Sequence, residues 1–359
     1  MMPFKFKEKD SIYKYVLEKR LGNGSFGEVW LAKDTTIDKE VALKILPSDF
    51  VSVIKNLEEA KNGNKVKHPN LLDIFYADVV TISPDVCVAL IAQEYQKNGT
   101  VETLLNAHNF LPLPKLLKIL TDVLLGLEYL HNGGVIHNDI KPSNILLDEH
   151  GNGVLADYGI SSFSIDKNPV SPKSIYIIHG APETLCATSP QISVSTDIYQ
   201  LGCTAYRLVN GISEIKKDIV QDPEHFVEAK IKGKIPSRNY KPYVPKKLAA
   251  VINKAIDVNP QNRYASAIDM KHALEKLFFP GFWTTNPTNI SELIGYGNNY
   301  SYTYKIIPKA NSLFDFFAYQ TTKNNKTTQK HDFCKKNITT KEKDKLLKDY
   351  FEWVINNAK

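Results

Sequence analysis

Cysteine is scarce in this 359-residue chain: Cys87, Cys186, Cys203 and Cys334 lie far apart and form no C-x-x-C pair. That excludes a disulfide framework and a zinc ribbon, and a reducing cytosol is the expected setting. Arginine is rare as well, with 4 against 41 lysines, and residues 281–359 contain none. Long apolar runs are missing. The longest, Val86 to Ala92, is about a third of a membrane span. The opening Met-Met-Pro-Phe-Lys-Phe-Lys-Glu-Lys-Asp has no apolar core of an export signal, so no membrane is expected as a partner. Nor is there a strong charge excess outside the tail: the formal net charge is +6, of which +5 falls in residues 281–359 and +1 before them. Lysines interleaved with Asn and Thr at 323–345 read as a solvated loop, and nucleic acid is not expected as a partner. What is present is ordinary for a globular chain, 43% hydrophobic and 23% charged residues, with length for two domains or a two-lobed fold and an appendage.

Residues 12–46 read as short strands: Tyr13-Lys14-Tyr15-Val16-Leu17, Glu28-Val29-Trp30-Leu31-Ala32 and Glu40-Val41-Ala42-Leu43-Lys44-Ile45-Leu46. Gly-rich and Asp-Lys turns separate them, which makes an antiparallel meander. Helix formers occupy 51–66, His68-Pro69-Asn70 stops that helix, and two further strands are expected at 71–78 and 86–95. From Pro114 the period changes. Leu116, Leu117, Leu120, Val123, Leu124, Leu127 and Leu130 recur at three- and four-residue steps, the mark of a buried helix. Short strands around Ile145-Leu146-Leu147 and Val154-Leu155-Ala156 flank a turn at 148–153, and helices are expected over roughly 196–210, 246–257 and 265–278, the remainder being loop. A strand-rich part with one helix followed by a mostly helical part is α+β with two lobes. Near Pro280-Gly281 the composition shifts to Asn, Thr, Tyr and Lys, so the expected division is 1–95, 96–279 and 280–359.

Gly22-Asn23-Gly24-Ser25-Phe26-Gly27 fits G-x-G-x-x-G, a pattern that dinucleotide-binding folds and ordinary glycine turns share. Here Gly27 leads into an alternating β-forming run rather than a helix, which favours a strand–turn–strand clamp whose backbone N–H groups reach phosphate oxygens. The absence of Gly-Lys-Ser/Thr removes the P-loop alternative. Seventeen residues after Gly27, Lys44 ends Val41-Ala42-Leu43-Lys44, where a strand places its ammonium beneath the clamp. Glu58 and Glu59 lie on the following helix; an inward Glu there holds Lys44 against the α- and β-phosphates, and Glu59, nine residues before His68, is the expected one. The most informative stretch is Val135-Ile136-His137-Asn138-Asp139-Ile140-Lys141-Pro142-Ser143-Asn144-Ile145-Leu146. Asp139, Lys141 and Asn144 supply a base, a cation and an amide oxygen in one loop. Thirteen residues beyond Asn144, Asp157-Tyr158-Gly159 adds a carboxylate, which with Asn144 makes a hard-oxygen site for Mg²⁺. Each residue alone is an ordinary turn former or cap; in this order they are the set that phosphoryl transfer requires.

On these residues the chain closely resembles the eukaryotic-type (Hanks-type) protein kinase family over about residues 12–279. The resemblance implies an α+β, bilobal protein-kinase-like fold, with a strand-rich N-lobe, a helical C-lobe and a small C-terminal accessory domain. It carries over residue by residue: Gly22, Asn23, Gly24, Ser25, Phe26, Gly27 and Val29 as the glycine loop, Lys44 with Glu59, Asp139, Lys141 and Asn144 in the catalytic loop, and Asp157 as the second metal ligand. Ala181-Pro182-Glu183 matches the end of the activation segment, Asp197 and Gly202 the helix after it, and Arg263 the partner of Glu183. Val29, Ala42 and Leu146 would enclose the adenine, Gln93 would be the gatekeeper, and the backbone of Glu94 and Gln96 would bond the base. ATP and Mg²⁺ are thereby implied. Lys141 two residues after Asp139 implies the Ser/Thr class, acting on protein hydroxyls and on itself, with Ser25, Ser161, Ser162, Ser164, Ser171 and Ser174 as candidate acceptors. A nucleotide-binding scaffold and a kinase of a non-protein substrate are the alternatives.

The sequence also departs from the family. His137-Asn138-Asp139 lacks the usual Arg that pairs with an activation-loop phosphate, which predicts activity without that phosphorylation. Tyr158 replaces Phe and keeps an aromatic body. Gly63, four residues after Glu59, predicts a loosely held helix. Ile175-Tyr176 stands where Gly-Thr is usual, so the peptide-docking surface is expected to differ. Aromatics are numerous enough in 280–359 to pack, and 341–357 reads as a helix with Leu346, Leu347, Tyr350, Phe351 and Val354 on one face. The tail is expected to dock on the larger lobe, with a partner-binding role as the alternative.

Overall fold

The computed structural model describes residues 5–24, 27–47, 67–84, 86–105, 110–158, 162–163, 176–185, 190–211, 215 and 225–358. Six antiparallel strands, β1 (Ser11–Ile12), β2 (Tyr15–Gly24), β3 (Gly27–Asp34), β4 (Lys39–Pro47), β5 (Ile74–Ser83) and β6 (Val86–Glu94), lie in the order β1-β2-β3-β4-β6-β5. Strand alternation sorts their side chains. Val41, Leu43 and Ile45 join Leu17, Trp30, Leu90 and Ala92 in a buried cluster. Ala42 and Lys44 take the other face, Ala42 opposite Leu31 and Gln93, Lys44 opposite Val29 and Ile91. β2 runs on through the glycine segment, further than expected, and Glu28 ties the two strands by accepting from Arg20 Nη2 at 2.7 Å and Trp30 Nε1 at 2.9 Å. At Gly27 a Cβ would stand 2.1 Å from the Ile45 carbonyl oxygen, so only glycine lets β3 and β4 close here. β5 begins three residues later than expected because residues 70–72 are bonded elsewhere: Leu155 N–H donates to Asn70 O at 2.9 Å and Leu72 N–H to Leu155 O at 3.0 Å. Those two bonds join the strand-rich and helical parts.

The helical part is built on α1 (Leu113–Asn132), which Pro114 starts and whose Leu116, Ile119, Leu120, Val123, Leu124, Leu127 and Leu130 are buried. Full burial of such a side chain contributes about 1.5–3 kcal/mol. Short strands β7 (Val135–Ile136), β8 (Ile145–Leu147), β9 (Gly153–Leu155) and β10 (Ser162–Phe163) follow, pairing β7 with β10 and β8 with β9. Then come α2 (Pro182–Leu185), α3 (Val194–Asn210), α4 (Phe226–Ile231), α5 (Lys246–Ala255) and α6 (Ala267–Glu275). α4 lies where the sequence reads as loop. It has six residues, too few for a period to show, and one of its buried positions is a lysine, Lys230. Helices α3 and α5 meet at Gly202, where a Cβ would be 2.6 Å from Ile256 Cγ2.

Residues 282–357 form strands β11 (Phe282–Asn286), β12 (Asn289–Tyr296), β13 (Tyr300–Pro308), β14 (Phe314–Thr322), β15 (Thr327–Gln329) and β16 (Lys335–Ile338), followed by helix α7 (Thr340–Asn357). The sheet runs β11-β12-β13-β14-β15, and β16 also pairs with β14. The helix matches its expectation to one residue and starts at a capping box between Thr339 and Glu342. Its Tyr350, Phe351 and Val354 are buried with Trp283, Tyr302 and Phe316 of the sheet. The sheet itself was unread, although Tyr300-Ser-Tyr302-Thr-Tyr304-Lys carries a period of two. This unit packs on the helical part. Phe351 lies 6.4 Å from Tyr243, which stacks on Phe110 at 3.9 Å, and Lys246 pairs with Glu352 at 3.2 Å. Among the described residues no helix is long and apolar enough to cross a membrane.

Candidate active site

Lys44 points into the cleft because the two β4 neighbours that flank it face the core. Buried there, its Nζ lies 2.9 Å from Asp157 Oδ1. Asp157 adopts a left-handed backbone, φ 64°, and its carboxylate meets Lys44. Burial alone would raise its carboxyl, but the Lys44 charge and hydrogen bond hold it below the usual carboxylate range.

The loop 137–144 is held from beneath. Asp197, in the first turn of α3, accepts from His131 Nε2 at 2.8 Å, His137 N–H at 2.9 Å and Asn138 N–H at 2.7 Å. Gln200, one turn on, accepts from Ile140 N–H at 2.9 Å and donates to Asn138 O at 2.9 Å. His137 donates through Nε2 to Ala156 O at 2.9 Å and accepts Asp139 N–H at Nδ1, 3.2 Å away. Above this frame Lys141 Nζ contacts both Asp139 oxygens, at 2.9 and 2.7 Å, and Asn144 Nδ2 donates to Asp139 Oδ2 at 2.9 Å. Asn144 O accepts Ala156 N–H at 2.8 Å, which brings Asn144 alongside Asp157.

The sequence-derived site is thus assembled in part. Asp139, Lys141 and Asn144 form one bonded group, Lys44 and Asp157 a second. Gly22 has nothing within 4 Å of its would-be Cβ, leaving open space beside the clamp. Asn23 and Gly24 end β2, and Ser25, Phe26 and Glu59 lie outside the described residues, as do Gly63, Ser161, Ser164, Ser171, Ser174 and Ile175. Val29, Ala42 and Leu146 are partly buried. The Glu94 N–H donates to Asp73 O at 2.9 Å, so the backbone of Glu94 has only its carbonyl to offer a base. Among the described residues no three His, Cys, Asp or Glu side chains group to hold a metal. A divalent cation at Asp157 and Asn144 therefore needs further oxygens from phosphate and water, the usual coordination of Mg²⁺.

Several supports were not legible beforehand. The Tyr158 hydroxyl donates to Leu72 O at 2.6 Å, and burial raises its ionisation above the usual phenol range. Tyr158 is therefore more than a Phe substitute. Tyr158→Phe leaves a buried carbonyl unpaired and is expected to lower stability by about 1–3 kcal/mol in urea denaturation; an unchanged midpoint would refute that role. His179, Arg207 and Glu102 were missed entirely. Burial and the nearby Arg207 charge hold the His179 imidazole neutral. The available signal was rarity: in a chain with 4 arginines, Arg207 is buried within a helix and Arg263 forks onto Glu183 with two contacts of 2.7 Å.

The protein kinase domain family matches residues 15–279, and the chain belongs to it. Among curated relatives, serine/threonine-protein kinase PknB of Mycobacterium leprae is 26% identical over 274 residues, covering 72% of this chain and 42% of that protein. Serine/threonine-protein kinase PrkC of Bacillus subtilis is 27% identical over 275 residues, covering 74% and 40%. PknB of Mycolicibacterium smegmatis is 27% identical over 268 residues, covering 72% and 42%. The chain thus spans about two fifths of the length of these relatives.

Proposed function

We propose that this chain is an ATP- and Mg²⁺-dependent serine/threonine protein kinase that also phosphorylates itself. The observation that carries the reading is Asp139 bonded to both Lys141 and Asn144, in a loop one hydrogen bond from the segment bearing Asp157. Asp139 orients the substrate hydroxyl and takes its proton, a contribution of roughly 10²–10⁴-fold for a positioned acid–base group. Lys141 stabilises the transferring phosphoryl charge beside it, and Lys44, released from part of its contact with Asp157, meets the α- and β-phosphates. Mg²⁺ held by Asp157 and Asn144 supplies charge neutralisation on the phosphates. Val29, Ala42 and Leu146 flank the adenine, which bonds the Glu94 carbonyl and the Gln96 N–H. Lys141 and the names of the relatives favour Ser/Thr over Tyr. Glu59 completes the pair with Lys44, and Ser25, Phe26 and the neighbouring glycines cover the phosphates. Asn138 offers no cation to a loop phosphate, which supports activity without that modification. Residues 280–359 act as an accessory unit docked on the helical lobe.

The test is intact-mass spectrometry after incubation with Mg·ATP, together with transfer of labelled phosphate to a general protein acceptor. Additions of about 80 Da per phosphate on the wild type, absent from Asp139→Ala, are expected. Nucleotide binding with no transfer to itself or to any acceptor would overturn the reading in favour of a scaffold.

A further inference from the structure

The turn at 176–180 closes on the catalytic loop through two aromatic rings. Its backbone is self-bonded: His179 N–H and Gly180 N–H both donate to Tyr176 O, at 2.9 and 2.8 Å. The two rings lie 5.5 Å apart, tilted 47° to each other. His179 Nδ1–H donates to Ile140 O at 2.8 Å, the carbonyl between Asp139 and Lys141. The Tyr176 ring lies 4.7 Å from Lys141 Nζ. Behind both, Arg207 donates to His179 Nε2 at 2.9 Å and meets Glu102 at 3.5 Å, and its charge acts on the Tyr176 hydroxyl. The result is a bonded run from Ile140 through His179 to Arg207, with the Tyr176 ring beside it against Lys141.

We propose that Tyr176 is a positioning residue for Lys141: its ring face holds the ammonium against Asp139 and keeps water from that side. This rests on the reading of Asp139 and Lys141 as the catalytic pair. Lys141 already spends two N–H groups on Asp139, so the ring meets the remaining side of the charge. Nothing else in the turn can do this. His179 is committed at both nitrogens, and the Ile177 side chain is 45% exposed.

Tyr176→Leu removes the π face and Tyr176→Phe keeps it while losing only the hydroxyl. At saturating ATP and acceptor, Tyr176→Leu is expected to lower kcat about 5- to 30-fold with KM for ATP unchanged, and Tyr176→Phe to stay within about twofold of wild type. ATP hydrolysis without acceptor should fall in the same ratio, because positioning of Lys141 does not depend on acceptor docking. Unchanged kcat in Tyr176→Leu, or an equal loss in Tyr176→Phe, overturns the proposal. So does a loss confined to KM for the acceptor, which would make Tyr176 a docking residue. If Tyr176→Leu does not fold, Tyr176→Met carries the same expectation. An inactive wild type, or an Asp139→Ala protein as active as wild type, would instead overturn the underlying assignment of Asp139.

Discussion

Asp157→Ala is expected to lower phosphate transfer by at least about 10²–10³-fold, the effect of deleting one fixed charge-stabilising group from a reacting site. The loss should be larger than for any surface acid because Asp157 has two tasks. In the proposed function it offers the carboxylate that a divalent cation requires, and at 2.9 Å it is the carboxylate that meets buried Lys44 among the described residues. Lys44→Met should fall to a similar level, and the double variant should be little worse than either alone, since groups that act as a unit do not add. The pair also sets a pH expectation. Because the Asp157 carboxyl is held below its ordinary range, its stabilising effect is fully present above the ordinary carboxylate value and is lost only as the pH falls through its lowered folded value. In Lys44→Met, burial acts without that opposing charge, so the Asp157 titration, followed by NMR, should move upward. Transfer within tenfold of wild type in Asp157→Ala, or an unmoved titration in Lys44→Met, would contradict this account.

What could be read from the sequence was the chemistry packed into short contiguous stretches. Asp139, Lys141 and Asn144 stand within six residues, and their mutual bonds follow from the tight 3-10 turn at Pro142–Asn144. The regular parts were legible for the same reason: α1 repeats its leucines over five turns, and α7 begins at a Thr-to-Glu capping box. Contacts made across the fold were harder. Lys44 and Asp157 are 113 residues apart, and Tyr158 reaches Leu72 across 86. No local pattern announces that a tyrosine hydroxyl will find a carbonyl. His179 and Arg207 escaped notice because each is a single polar residue in an apolar setting, which periodicity treats as noise. The tail sheet was lost differently. Its strand β13 alternates tyrosine with serine and threonine, and tyrosine counts as both polar and apolar, so the two faces look alike.

Arg263→Ala is expected to cost about 3–5 kcal/mol of stability, the usual result of removing one partner from a buried ion pair. Arg263 has a side chain with no exposed surface, and its guanidinium does more than meet Glu183. Nη1 also donates to Ser195 O at 3.0 Å, Nε to Asp257 O at 2.8 Å and Nη2 to Val258 O at 3.2 Å, while the group lies 4.8 Å from the Tyr199 ring. Alanine therefore takes from the Glu183 carboxylate its cationic partner and leaves the Asp257 and Val258 carbonyls without this donor. Arg263→Lys keeps the charge but not the fork, and should fall between wild type and alanine. Glu183→Gln should cost less than Arg263→Ala, because the amide still accepts one bond. Denaturant unfolding of the three variants gives the order, and a cost below about 1 kcal/mol for Arg263→Ala would mean that the pair behaves like a solvent-exposed one. Activity should fall as well. Glu183 stands in α2 immediately after the turn that carries Tyr176 and His179, so a loosened Glu183 frees the segment that closes over Lys141. The double variant Arg263→Ala, Glu183→Ala should then recover part of the stability lost in Arg263→Ala, because no partly buried carboxylate is left without its cation, without recovering kcat.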